Sequence, residues 1–180
     1  ISTDGGDTWS LNMIVPSAGD LGTGDITIAG SQTAGTLYGG ILRIPGNLLL
    51  NVLRSQNFTT STVMSVRSSR EQVDQPFTQA SIAGATDRVY VGNNDFNASN
   101  GRTASVEVST NGGTSFTTVR IETRTTAGQD GPSVRPAVAR DGTVYVAYFG
   151  WRNFNGDIAT SDVVLVRDDN GAVGANPFRS

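Results

Sequence analysis

The sequence predicts an all-β fold, a β-propeller segment of about three four-stranded antiparallel blades, on three observations. Tyr38, Tyr90 and Tyr145 recur at intervals of 52 and 55 residues, each preceded by Leu or Val and each following a turn-forming stretch. Large aromatics, Trp9, Phe58, Phe116 and Phe178, recur in the same phase at intervals of 49, 58 and 62. Between these markers lie short apolar runs of period two, such as Val144-Tyr145-Val146-Ala147-Tyr148, and no convincing amphipathic helix. Four short strands repeated at this period make a unit that buries its apolar faces only by stacking on its neighbours, which is a propeller blade.

Taken in order, residues 1–16 read as the last strand of a preceding blade, entered through the turn Ser2-Thr3-Asp4-Gly5-Gly6-Asp7-Thr8-Trp9. An acid that can bond the backbone ahead of it, followed by glycines tolerant of positive φ, makes a tight turn, and Trp9 is expected to re-enter the core beyond it. Blade one spans 17–67, blade two 68–124 and blade three 125–180, all within a single segment, 1–180. Each blade has a first strand before the Tyr turn, a second at the Tyr, and a third ahead of the aromatic. The turn recurs as Ser109-Thr110-Asn111-Gly112-Gly113-Thr114-Ser115-Phe116, and Asp168-Asp169-Asn170-Gly171 is a lengthened, degenerate copy. Three blades do not close a ring of about 4–8. The expectation is a part of a larger propeller, or a half that closes its ring with a second copy.

Composition narrows the chemistry. The 180 residues contain no His and no Cys, and all 13 basic residues are Arg. Within this chain that excludes a Ser-His-Asp triad, a thiolate nucleophile, a His/Cys zinc site and a lysine Schiff base. Carboxylate, Tyr and Arg chemistry remains, a set suited to glycoside hydrolysis and to binding anionic sugars. A net charge of −3 gives no reason to expect nucleic acid or an anionic membrane as partner. No cofactor and no metal are expected: Asp168-Asp169-Asn170-Gly171 lacks the downstream Glu of a calcium loop. Asn57-Phe58-Thr59 and Asn97-Ala98-Ser99 are glycosylation sequons if the protein is eukaryotic and secreted.

The turn Ser2–Trp9 and its second copy resemble the Asp box, or bacterial neuraminidase repeat, of sialidases and related β-propellers. In that family the box joins the third and fourth strands of a blade, and the active site lies on the opposite face. The resemblance therefore implies that Ser2, Asp4, Gly6, Trp9, Ser109, Asn111, Gly113 and Phe116 are structural. It also implies an extracellular or cell-surface, glycan-directed protein, acting by exo-sialidase-type glycoside hydrolysis when complete. The alternative is a non-catalytic propeller that binds carbohydrate or scaffolds other proteins. Its partner would be a glycan or glycoconjugate, beside the remaining blades or a second copy of the chain.

The functional face would be formed by the connections between blades, Ser17–Asp25, Ser68–Pro76 and Thr125–Arg135, and by the loops Asn93–Arg102 and Gly150–Thr160. Asp25 and Asp74 are the catalytic candidates there, with turn capping as the rival role for each. Asp95, Arg135, Trp151 and Arg152 are the binding candidates, since rings stack on sugar faces while charged groups fix hydroxyls and carboxylates. Glu71 and Asp157 share this face, and Asp130 reads as a turn residue. Arg43, in Leu42-Arg43-Ile44-Pro45, matches the sialidase Arg-Ile-Pro motif whose Arg binds the sialic acid carboxylate, although here it follows the second-strand tyrosine Tyr38 and enters a short turn, Pro45-Gly46-Asn47, rather than lying on a first strand. The family's Tyr–Glu pair cannot be assigned from the sequence, where Tyr148 alone lacks repeat equivalents.

Overall fold

The computed structural model describes residues 2–10, 22–33, 35–44, 47–58, 63–97, 103–124 and 133–178. It is all-β: three antiparallel sheets of four, four and three strands, with no helix among the described residues. The first sheet runs in chain order through β1 (Gly22–Gly30), β2 (Leu37–Ile44), β3 (Leu49–Ser55) and β4 (Ser65–Glu71). The second repeats that order with β5 (Val73–Ala83), β6 (Thr86–Asp95), β7 (Ala104–Ser109) and β8 (Thr117–Arg120). The third holds β9 (Arg135–Val138), β10 (Val144–Phe154) and β11 (Ala159–Asp168), with β11 at its edge.

Register ties the sheets to one pattern. Tyr38 pairs with Ala29, Tyr90 with Gln79 and Tyr145 with Ala137, so the three tyrosines hold one place on each second strand. Alternation then sends their side chains to the same side of each sheet. Tyr38, Leu50 and Val52 pack on Val73, Val89 and Val91 of the second sheet. Tyr90, Val106 and Val108 pack on Val144, Val146 and Tyr148 of the third. The second sheet is thus held between the other two.

The first strands lie side by side, β5 against both β1 and β9. Close approach there depends on the glycines two places after Tyr38 and Tyr90. A Cβ on Gly40 would stand 3.0 Å from Pro76 Cβ and Thr78 Oγ1, and one on Gly92 would overlap the Val134 carbonyl oxygen. Pro76 and Pro136 are tolerated because β5 and β9 are edge strands of their sheets.

The repeated turn has one hydrogen-bond pattern in three places. The Ser2 hydroxyl accepts from the Asp4 and Gly6 amides, the Ser109 hydroxyl from Asn111 and Gly113, and Asp168 Oδ1 from Asn170 and Ala172. Two successive residues with positive φ close each copy: Gly5 and Gly6, Gly112 and Gly113, Gly171 and Ala172. The third copy therefore puts Asp168 in the serine's role, and Ala172 takes the left-handed conformation at some cost.

Three expectations need correction. The connection placed at Ser68–Pro76 is the single residue Gln72, because β4 continues to Glu71 and β5 starts at Val73. The loop placed at Gly150–Thr160 is mostly hairpin, since β10 reaches Phe154 and β11 begins at Ala159. Trp9 does not re-enter a core: it is 75% exposed, its ring N–H donating to the Gly6 carbonyl at 2.9 Å. Its role in the turn is met locally, whereas Phe116 and Phe178 pack beside core clusters. The strand expected after Trp9, and Asp130, lie outside the described residues.

Candidate functional site

Antiparallel order divides each sheet into two ends. One end holds the repeated turns; the other holds the starts of the first strands, the ends of the second and the starts of the third. The candidate residues gather at this second end, opposite the turns.

Here β1, β5 and the approach to β9 enclose a cleft of about 440 Å³, lined by Asp25, Thr27, Gln75, Phe77, Ser133 and Arg135 among others. Its walls are cross-linked between sheets. The Ser133 amide donates to Gln75 Oε1 at 2.9 Å, and the Thr78 amide to Thr27 Oγ1 at 3.3 Å. Gln75 and Ser133 both have positive φ, 52° and 65°, an uncommon conformation for residues with a Cβ. Such strain persists only where surrounding structure enforces it, and two instances meet at one hydrogen bond here. The Arg135 guanidinium lies 4.4 Å from the centre of the Phe77 ring. This cation–π contact fixes a flat, polar-edged wall with donors still available.

Of Asp25, Asp74, Arg135 and Trp151, which hydrolysis would need clustered, Asp25 and Arg135 line one cleft. Asp74 stands just outside it, its Oδ1 accepting the Gln75 amide at 2.7 Å, which is the turn-capping role. Arg43, one residue before the end of β2, donates to Asn51 Oδ1 at 3.3 Å without lining the cleft. Trp151 lies on the face of the third sheet that points away from the second, its ring 4.8 Å from that of Phe154. Arg152 is bound to Asp162 at 2.7 Å. Glu71 ends β4, and Asp157 lies in the β10–β11 turn.

Asp95 is fully buried. Its carboxylate accepts from Arg70 at 3.0 Å and Arg120 at 3.3 Å, and from the Asn97 amide and side chain. Burial alone would push its pKa up, but the bonds from Asn97 and Arg70 together outweigh that and hold it below the usual carboxylate range. Arg70 also bonds Glu107, so one arginine from the first sheet satisfies two buried acids of the second.

A second polar knot joins the second and third sheets. Arg124 bonds Glu122 at 2.6 Å and Asp162 at 2.5 Å, and Gly150 leaves the room its guanidinium occupies. Beside it stands Tyr148, 4% exposed, its hydroxyl 3.5 Å from the Ile121 carbonyl. The Tyr–Glu adjacency missing from the sequence reading exists here, between Tyr148 and Glu122. Burial, then the Glu122 charge, pushes the phenol well above its ordinary value, so it stays protonated and acts as a core anchor.

Gln75, Phe77 and Ser133 escaped the sequence reading because none is a repeat marker or a charged group. The prolines just after Gln75 and Arg135 were the available signal, marking where two first strands enter. Among the described residues no three acids converge in a metal site, and no helix is long and apolar enough to cross a membrane. Comparison with protein-family models, curated proteins and solved structures finds no match.

Proposed function

We propose that this chain is a three-blade segment of a sialidase-like β-propeller, extracellular or at the cell surface, that binds glycan at the end where its first strands begin. The observation that carries this reading is the cleft formed by three successive sheets at the end opposite their repeated turns. Support for blades comes from the turn's recurrence, the constant tyrosine register, and the adjacency of β1, β5 and β9. The cleft suits an acidic or hydroxyl-rich sugar: Arg135 offers a planar donor array, Asp25 offers an acceptor, the Gln75 amide nitrogen offers donors, and Phe77 backs the site with a ring.

Binding is tested by saturation-transfer NMR with a panel of neutral and acidic monosaccharides, the acidic members including sialic acid. Transfer to an acidic sugar, lost in Arg135→Gln with the β-sheet circular dichroism unchanged, is the expected result. No transfer to any member, or transfer indifferent to Arg135→Gln, would overturn this site. Glycoside hydrolysis is the second reading, favoured by Asp25 lining the cleft. It requires a second carboxylate turned into the same space, with a separation set by the stereochemical course. Release of a fluorogenic aglycone, abolished by Asp25→Asn, separates turnover from binding alone.

A further inference from the structure

The face of the third sheet that points away from the second is a near copy of the face of the first sheet that the second covers. On the first sheet the cross-strand pairs are Tyr38–Arg54, Gly40–Val52 and Leu42–Leu50. On the third they are Tyr145–Arg167, Ala147–Leu165 and Phe149–Val163, in the same order. In both sheets the arginine guanidinium sits 5.8 Å from the centre of its tyrosine ring. The first set is covered, with Tyr38, Leu50 and Val52 each at most 1% exposed. The second is bare: Val163 is 79% exposed, Leu165 65% and Phe149 47%. A contiguous apolar face of this kind marks an interaction surface.

The outer side of β1 offers the complement. By register Ile28 occupies the place held by Thr78 in β5 and Pro136 in β9. Those residues lie over the small residue of the preceding sheet, Thr78 over Gly40 and Pro136 over Gly92. Ile28 and its neighbour Ile26 are 56% and 66% exposed. Ala147 is the corresponding small residue of the third sheet, two places after Tyr145.

We propose that these two faces form an interface between copies of this chain, the third sheet of one copy docking on the first sheet of a second with Ile28 over Ala147. The contact continues the packing already made twice within the chain. Made at both ends of a pair, it uses both bare faces and gives six sheets, within the ~4–8 of closed propellers. Ring closure rests on the propeller reading above; the contact itself rests on the repeated face.

Light scattering after size exclusion is expected to give twice the 18.8 kDa chain mass, reduced to one chain by Leu165→Glu with the β-sheet spectrum retained. The chain has no cysteine, so geometry is read directly by mixing Ile28→Cys chains with Ala147→Cys chains under oxidising conditions. A disulfide between them is expected, and none when Asp7→Cys replaces either. A monomeric wild type, or a dimer whose Ile28→Cys and Ala147→Cys chains do not link, overturns the proposed contact. Linking accompanied by an open series of masses supports the contact and overturns the closed ring, so the two failures are distinguishable.

Discussion

Tyr38 and Tyr90 hold the same place in successive sheets but donate to unlike acceptors, so each serves as a control for the other. Both are fully buried. The Tyr38 hydroxyl donates to Asp87 Oδ2 at 2.9 Å, and the Tyr90 hydroxyl to the Gly171 carbonyl at 3.1 Å. Changing either to Phe keeps the ring in place and deletes one bond between sheets; Arg88 and Ser81 also approach the Tyr90 hydroxyl from its own sheet, so the Tyr90 comparison is made in an Arg88→Met, Ser81→Ala background. A hydrogen bond to a charged group contributes about 1.5–3 kcal/mol and a neutral one about 0.5–1.5 kcal/mol. Asp87 keeps the Ser31 and Thr33 hydroxyls at 2.5 and 2.9 Å, so its charge is not left bare. Tyr38→Phe should therefore cost about 2 kcal/mol and Tyr90→Phe about 1 kcal/mol, roughly thirtyfold and fivefold in the folding constant. Urea unfolding followed by far-ultraviolet circular dichroism, at one protein concentration, should show lower midpoints with unchanged slopes. In an Asp87→Asn background the Tyr38→Phe cost should fall toward that of Tyr90→Phe, because the acceptor is then neutral. Equal costs for the two single variants, or a larger one at Tyr90, would refute the reasoning.

Close packing between sheets predicts that Gly92→Ala costs about 1–3 kcal/mol and more than Gly40→Ala, since its Cβ meets backbone rather than a side-chain methylene and hydroxyl; thermal denaturation ranks the two. The folded-state pKa values of Asp95 and Glu122 lie below their ordinary 3.8 and 4.5. The stability they contribute is complete above those ordinary values and is lost as pH falls through the lower folded ones. Arg70→Met should accordingly move the midpoint of acid unfolding to higher pH, read by circular dichroism across a pH series. Burial, then the bond to Asp87, pushes Tyr38 up to about 12 from 10.0. Its neutral form is favoured by folding, so this contribution holds below pH 10 and disappears as pH rises toward 12; ultraviolet titration should show its ionisation coinciding with unfolding. Asp168→Ala should lose three backbone bonds, those from Asn170, Ala172 and Phe178, whereas Asp168→Ser should keep the first two. The alanine variant is therefore the less stable by about 1 kcal/mol in urea unfolding.

Much of the fold was legible because repetition reports on scaffold. The tyrosine spacing located all three second strands, alternation around Val144 marked one of them, and alternation around Val106 located a third strand. The turn signature located its second copy, and the degenerate Asp168 copy proved to have the same hydrogen bonds with a carboxylate for a hydroxyl. Lengths were less legible. Pattern reading stopped β4 short of Arg70 and Glu71 because charged residues resemble loop, whereas Arg70 is held in the strand by two buried acids across the sheet junction. For the same reason Gly150–Thr160 read as loop: Arg124, from outside the hairpin, occupies the space above Gly150 and binds Asp162.

The site was legible only in part, and the reason is directional. Sequence shows which residues are charged; which charges are already spent depends on partners far along the chain. Asp95 and Arg135 looked alike as unrepeated polar groups, yet Asp95 is consumed by Arg70, 25 residues away, while Arg135 lies over an aromatic ring and faces a cleft. Trp151 looked like a sugar platform because it occurs in no repeated marker. Its side chain shares the face of Tyr145, Ala147 and Phe149, and the same pattern on the first sheet is buried by a neighbour. Trp151 itself is half-buried beside Phe154, on the face that the contact proposed above would cover. The residues left for chemistry are those at the strand-entry end whose donors and acceptors the repeat does not use.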